Sequence, residues 1–126
     1  ESAGDGTLQV VADRLLLRRA LTNLLENGSQ AGKEAGREGR VRLTWTAESG
    51  AVRFCIEDEG PGVPSAKRAE IFEPYVTSKE TGTGLGLAIS KKIALDHKGS
   101  LELSNEPSTL GGARFELVVP LAFSGA

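Results

Sequence analysis

The chain has one cysteine and one histidine in 126 residues, no long apolar run and no surplus of charge of either sign. Each shortage closes off a class of function. Cys55 alone cannot form an internal disulfide, and with His97 as its only company it cannot complete a Cys/His zinc site. It stands in the apolar alternation of a predicted strand, which marks buried filler rather than a reactive thiol. No stretch reaches the length of a membrane span, and the acidic, glycine-rich start is unlike a signal peptide. Fifteen basic against seventeen acidic residues give a net charge of −2, without the basic field that nonspecific nucleic-acid binding needs. The expected compartment is reducing and aqueous, the cytoplasm, with neither nucleic acid nor membrane as a partner of this domain.

With 39% hydrophobic and 25% charged residues, the chain reads as one globular domain over residues 1–126. What it has in excess is glycine. Sixteen occur, and several cluster: Gly60 with Gly62, Gly82 with Gly84 and Gly86, Gly111 with Gly112. Clustered glycine marks backbone that turns sharply or comes close to a ligand.

Periodicity predicts a short strand over residues 7–11, then a long helix over 14–35 with Asp13 as its N-cap. Leu17, Ala20, Leu21, Leu24, Leu25 and Ala31 form its apolar side, and Gly28, Gly32 and Gly36 weaken its second half. Residues 40–48 and 51–57 alternate around Ser49-Gly50 as a hairpin with a two-residue turn. A short helix over 64–71, a loop over 73–82, a helix over 85–97 and strands over 100–104 and 113–119 complete the order. That order predicts an α/β two-layer sandwich: a mixed sheet of about five strands, covered on one face by about three helices.

Three places carry residues suited to chemistry. Asn23 and Asn27 lie one turn apart on the first helix, where asparagine gains little; a neutral amide oxygen suits Mg²⁺ that also binds phosphates and water. Solvated side chains are the plain alternative. Asp58-Glu59-Gly60-Pro61-Gly62 follows the hairpin directly. Its aspartate, at the end of a buried strand, can accept from an exocyclic amine such as that of adenine, and its glycines let a flat base lie on the backbone. A tight turn is the competing reading. Gly82-Thr83-Gly84-Leu85-Gly86-Leu87 opens the last helix. It is neither a dinucleotide fingerprint nor a P-loop, yet N–H groups at a helix start hold phosphates. Lys79, shortly before it, can reach a terminal phosphate as a point charge.

Taken in order, these motifs resemble the catalytic ATP-binding domain of bacterial sensor histidine kinases, in the superfamily shared with gyrase B, Hsp90 and MutL. Asn23-Leu24-Leu25-Glu26-Asn27 is similar to the N box, residues 58–62 to the first G box, Phe72-Glu73-Pro74-Tyr75 to the F box, and residues 82–87 to the second G box. The resemblance runs from about residue 8 to residue 120 and implies a Bergerat-type ATP-binding fold. It also implies roles. Asn27 would ligate Mg²⁺, and Asn23 would support the phosphates. Asp58 would bond the adenine amine, with Gly60, Gly62 and Val63 lining the base. Residues 76–83, with Thr77, Ser78 and Lys79, would form a short lid of the nitrogen-sensing type. Gly82, Thr83, Gly84, Leu85, Gly86 and Leu87 would bind phosphates at the helix start.

The sequence departs from the family pattern at three points. Gly28 replaces the usual alanine, which loosens the helix beside the metal ligand. Gln30 replaces a phosphate-binding lysine, shifting that contact to Lys79. Ala113 stands where relatives carry threonine near the adenine water.

In hydrolysing members of the superfamily the first N-box position is a glutamate that activates water. Asn23 is a poor general base, so the resemblance implies phosphoryl transfer by positioning and charge neutralisation. Asn23 and Lys79 are the candidate catalytic residues. The acceptor histidine is expected on a dimerisation hairpin preceding residue 1, with a response regulator downstream; His97 reads as a helix cap. Alone, the fragment is expected to be monomeric and unable to phosphorylate itself. The alternative function is a nucleotide-binding regulatory module or pseudokinase. A serine kinase acting on an anti-sigma antagonist is disfavoured by the F box.

Overall fold

A computed structural model describes residues 14–48, 50–73, 86–106 and 108–120. The first helix, α1 (Arg14–Glu34), is followed by the strands β1 (Val41–Glu48) and β2 (Ala51–Asp58). A three-residue 3₁₀ turn at Ser65–Lys67, helix α2 (Gly86–Asp96), and the strands β3 (Ser100–Leu103) and β4 (Arg114–Pro120) complete the order. The strand predicted over 7–11, the cap at Asp13 and most of the loop predicted over 73–82 lie outside the described residues.

The four described strands pair in the order β1-β2-β4-β3. Every pairing is antiparallel, so this part of the sheet is not the mixed one expected. Only β1 and β2 are joined by a tight turn; α2 stands between β2 and β3 in the chain, and β4 comes back between those two strands to pair antiparallel with both. The register sets Leu43 opposite Ile56 and Trp45 opposite Phe54, with Ile56 in turn opposite Phe115 and Phe54 opposite Leu117. One face of all four strands is therefore apolar, and α1 and α2 pack on it. Leu24, Ile56, Leu101 and Leu117 are sealed from solvent there with Ala20 and Ala94. Each large side chain so buried contributes about 1.5–3 kcal/mol.

Hydroxyl chemistry joins the two helices: the buried Ser90 Oγ donates to the Ala20 carbonyl at 3.1 Å. The segment after Val63 forms only a 3₁₀ turn rather than the predicted helix. Its Arg68 instead donates to the carbonyls of Leu103 and Ser104, at 2.9 and 3.0 Å, tying the turn to the end of β3. Phe72, beyond it, meets Phe115 edge to face and lies under the Lys91 ammonium.

Both helices end in a 6→1, 5→2 pair of hydrogen bonds closed by a left-handed residue. For α1 that residue is Gly36, with Arg37 N–H donating to Gly32 O. For α2 it is Lys98, with φ +61°, while Gly99 N–H donates to Ala94 O. Glycine is needed one position later in α2, because a Cβ on Gly99 would fall on the Val118 carbonyl. His97 caps the same end, its Nδ1 2.7 Å from the Ile93 carbonyl.

Cys55 is buried, but not in the apolar alternation. It lies on the opposite face of β2, beside Glu57 and beneath Arg114, and burial pushes its thiol up. The strand's apolar side uses the even positions Val52, Phe54 and Ile56, so an odd-numbered residue cannot share it.

Candidate functional site

Three consecutive acidic residues, Glu57, Asp58 and Glu59, lie at the end of β2, and all three are buried. Carboxylates leave water only for partners. Where each finds them defines the site.

Asp58 is held by backbone. Its Oδ1 accepts from the N–H groups of Gly60 and Ala113, each at 2.9 Å. Its own N–H donates to Ala113 O at 3.1 Å, and its carbonyl accepts from Gly112 N–H at 2.9 Å and Ser108 Oγ at 3.0 Å. Two N–H donors on one oxygen fix the rotation of the carboxyl group, and three contacts from residues 108–113 fix its backbone.

The flanking glutamates are anchors. Glu57 Oε1 accepts from Thr109 N–H at 2.5 Å and Thr109 Oγ1 at 2.6 Å, bolting β2 to the loop before β4. Burial pushes the Glu57 carboxyl up, but Thr109 together with Arg114 and Arg42 outweighs this and holds it below the usual range. Glu59 Oε1 accepts from Arg40 N–H at 2.9 Å and Gly39 N–H at 3.1 Å, and its Oε2 pairs with the Arg40 guanidinium. The Arg40 backbone N–H, helped by its side chain, holds Glu59 below the usual carboxylate range. Arg37 donates to the Glu59 carbonyl, so the turn after α1 is fastened at both ends of this residue.

Asp58 faces α1 across a strip of very small residues. A Cβ on Gly28 would stand 2.8 Å from Val41 Cγ1 and 3.1 Å from Asp58 Cβ. One on Gly60 would stand 2.7 Å from Ala31 Cβ, and one on Gly32 2.9 Å from Gly39 Cα. Gly28, Ala31 and Gly32 are spaced i, i+3, i+4, one face of the helix. The glycines expected to loosen α1 instead let it close on residues 58–60, and the helix runs unbroken through them. Opposite, Gly112 completes the enclosure: a Cβ there would overlap Asp58 Oδ1 and meet Gly60 N at 2.5 Å.

Among the predicted site residues, Asn23 and Asn27 are half-buried on α1, and Asn27 immediately precedes the glycine that lies against Asp58. Gly60 is buried beneath α1; Gly62 has φ +80°, which a side chain would strain. Gly62 and Val63 line an open pocket of 240 Å³ with Arg68, Gly112, Ala113 and Arg114. Gly86 opens α2, and Leu87 packs against the core. Thr77, Ser78, Lys79, Gly82, Thr83, Gly84 and Leu85 lie outside the described residues, as do Pro74 and Tyr75.

Residue patterning passes over Glu57 and Ser108, and it notes Glu59 only as part of the turn at 58–62 and Gly112 only as part of a glycine cluster, without giving either a role. The doubled glycine at 111–112 was the available signal for the last. Ala113 contributes through its backbone N–H and carbonyl, which any residue but proline provides at that position.

Among the described residues no three His, Cys, Asp or Glu side chains converge as a protein-only metal cage. A single amide oxygen such as that of Asn27 suits a cation that keeps water and phosphate as its other ligands, which is the habit of Mg²⁺. No described helix is long and apolar enough to cross a membrane.

Comparison with known proteins gives a consistent result. A family model described as histidine kinase-, DNA gyrase B-, and HSP90-like ATPase matches residues 12–122. The C4-dicarboxylate transport sensor protein DctB of Rhizobium meliloti (strain 1021) is 39% identical over 101 residues, 80% of this chain and 16% of that protein. The nitrogen regulation protein NtrY of Azorhizobium caulinodans is 40% identical over 103 residues, 79% of this chain and 13% of that protein. The chain thus spans less than a fifth of these relatives. Among solved structures, full-length ShkA in complex with AMPPNP superimposes with a TM-score of 0.75 at 34% identity, over 92% of this chain and 24% of that one.

Proposed function

Since the chain belongs to the histidine kinase-, DNA gyrase B-, and HSP90-like ATPase family and has the fold of histidine kinase catalytic domains, we propose that residues 1–126 are a single domain that binds Mg-ATP. We further propose that it donates the γ-phosphoryl group to a histidine on a separate dimerisation domain of the same kinase, within two-component signalling in the cytoplasm. The observation that carries this reading is the enclosure of Asp58. A buried carboxylate whose Oδ1 is saturated by two backbone N–H groups is a rigid acceptor, and its Oδ2 side faces α1.

Asp58 accepts from the exocyclic amine of adenine. Gly62, which has open space where a side chain would stand, and Val63 border the flat face of the base, while Gly60, packed under Ala31, serves the base by holding Asp58 through its N–H. Asn23 supports the phosphates and, being an amide, does not activate water, so transfer is favoured over hydrolysis. Asn27 holds Mg²⁺, which when bound neutralises phosphate charge. Lys79 meets the terminal phosphate, and residues 82–87 receive the phosphate chain at the start of α2. Thr77 and Ser78 belong to the lid over it. The AMPPNP bound to the relative ShkA supports a nucleotide as ligand. A response regulator is the expected downstream partner.

Mixing the domain with a separately supplied phosphoacceptor hairpin and γ-labelled ATP tests the transfer. Labelled histidine supports it; binding of nucleotide with no labelled histidine leaves a regulatory nucleotide-binding module.

A further inference from the structure

We propose that Glu57 and Ser108 are positioning residues for base selection: they clasp the loop of residues 108–113 onto the end of β2, so that the loop's N–H groups hold Asp58 where it meets the amine. The inference rests on the reading of Asp58 as the adenine contact and goes beyond it, because neither residue touches the base.

The geometry is a chain of contacts ending on one carboxylate. Glu57 points away from the helices, on the face of β2 opposite to Asp58, as strand alternation requires. There its Oε1 takes both the N–H and the hydroxyl of Thr109. One residue earlier, Ser108 Oγ donates to the Asp58 carbonyl and accepts from Leu110 N–H at 2.9 Å. It is buried, so no water substitutes readily for either contact. With residues 108–110 fastened in this way, the chain turns at Gly111, with φ +101°, and delivers Gly112 N–H to the Asp58 carbonyl and Ala113 N–H to Oδ1. Gly112 must lack a side chain for the loop to lie that close.

A carboxylate on an otherwise free side chain would rotate about χ1 and χ2. Here its orientation depends on Ala113 together with the local Gly60 N–H, and the place of Ala113 depends on the clasp. A hydrogen bond to the base is only as selective as its acceptor is fixed, because a misaimed acceptor leaves the amine without a partner.

The test compares two nonhydrolysable triphosphates by calorimetry with Mg²⁺: the adenine nucleotide and its purine counterpart lacking the 6-amino group. A stability defect changes the fraction of competent protein, not the ratio of the two affinities. The wild type should prefer the amine-bearing ligand by roughly tenfold or more, within what one hydrogen bond to a charged group commands. Asp58→Asn should remove that preference. Glu57→Ala and the milder Ser108→Ala should each erode it several-fold. Glu57→Gln keeps an oxygen able to accept both Thr109 bonds and should restore it. Full wild-type preference in both Glu57→Ala and Ser108→Ala would overturn the positioning role, as would a Glu57→Gln protein no better than Glu57→Ala. An Asp58→Asn protein that keeps the preference would instead overturn the reading of Asp58, and the clasp with it.

Discussion

Gly28 of α1 and Asp58 at the end of β2 lie so close that a Cβ on the glycine would stand 3.1 Å from the aspartate Cβ and 3.5 Å from its Oδ2. The helix that bears both asparagines therefore meets the buried carboxylate without a side chain between them. That contact links the proposed metal ligand to the proposed base contact through one rigid helix face.

Placing alanine at position 28 gains helix propensity but drives a methyl toward Val41 Cγ1, 2.8 Å away. Gly28→Ala alone is expected to destabilise the domain by about 1 kcal/mol, and Val41→Ala to make room for it. Urea unfolding of the two single variants and the double variant measures the coupling. Strictly additive losses would contradict the close approach.

The anchoring glutamates predict the acid limb of stability. Both carboxyls are held below the usual range in the folded state, so between their folded values and about 4.3 the unfolded chain binds more protons. Their contribution is complete above about pH 4.3 and is lost as pH falls through the folded values. Glu57→Gln, which cannot titrate, should show a shallower loss of stability below about pH 4.3 in a pH series of urea melts. An unchanged slope would refute the anchor's ionised form.

The end of α2 offers a test remote from the site. Lys98 carries a left-handed backbone that glycine adopts without penalty, so Lys98→Gly should raise stability by up to about 1 kcal/mol. Gly99→Ala should lower it by about 1–3 kcal/mol, because its methyl would fall on the Val118 carbonyl. Opposite signs in adjacent residues are the signature to look for in chemical denaturation.

A metal role for Asn27 separates from a packing role by chelation. Asn27→Ala should weaken ATP binding more in Mg²⁺ than in EDTA, measured by calorimetry. Equal losses in the two buffers would leave Asn27 without a metal to hold.

Much of this was legible in the sequence because it rests on local patterns. Helical spacing placed α1 to within a residue of its observed end, and strand alternation with Ser49-Gly50 placed the hairpin, whose Glu48 and Ala51 pair directly. Asp58 stood out as a carboxylate following an apolar strand. Less legible was everything decided between distant segments. Gly28 and Gly32 read as weak points because propensity counts only the helix, whereas their value lies in what approaches them: Asp58 and Gly39. Glu57 and Glu59 read as strand and turn residues because their partners, Thr109 and Arg40, are distant in the chain. Antiparallel closure through β4 likewise depends on pairings that no single segment announces.

The central claim, that Asp58 selects the base of a bound Mg-ATP, is tested most directly by Asp58→Asn in calorimetry with a nonhydrolysable ATP analogue and Mg²⁺. Asparagine can keep an acceptor for Gly60 and Ala113 but turns an N–H donor toward the donor on adenine. The wild type should bind, and the variant should lose at least about 100-fold in affinity while remaining folded. Undiminished binding by Asp58→Asn, or no heat from the wild type at millimolar ligand, would contradict the account.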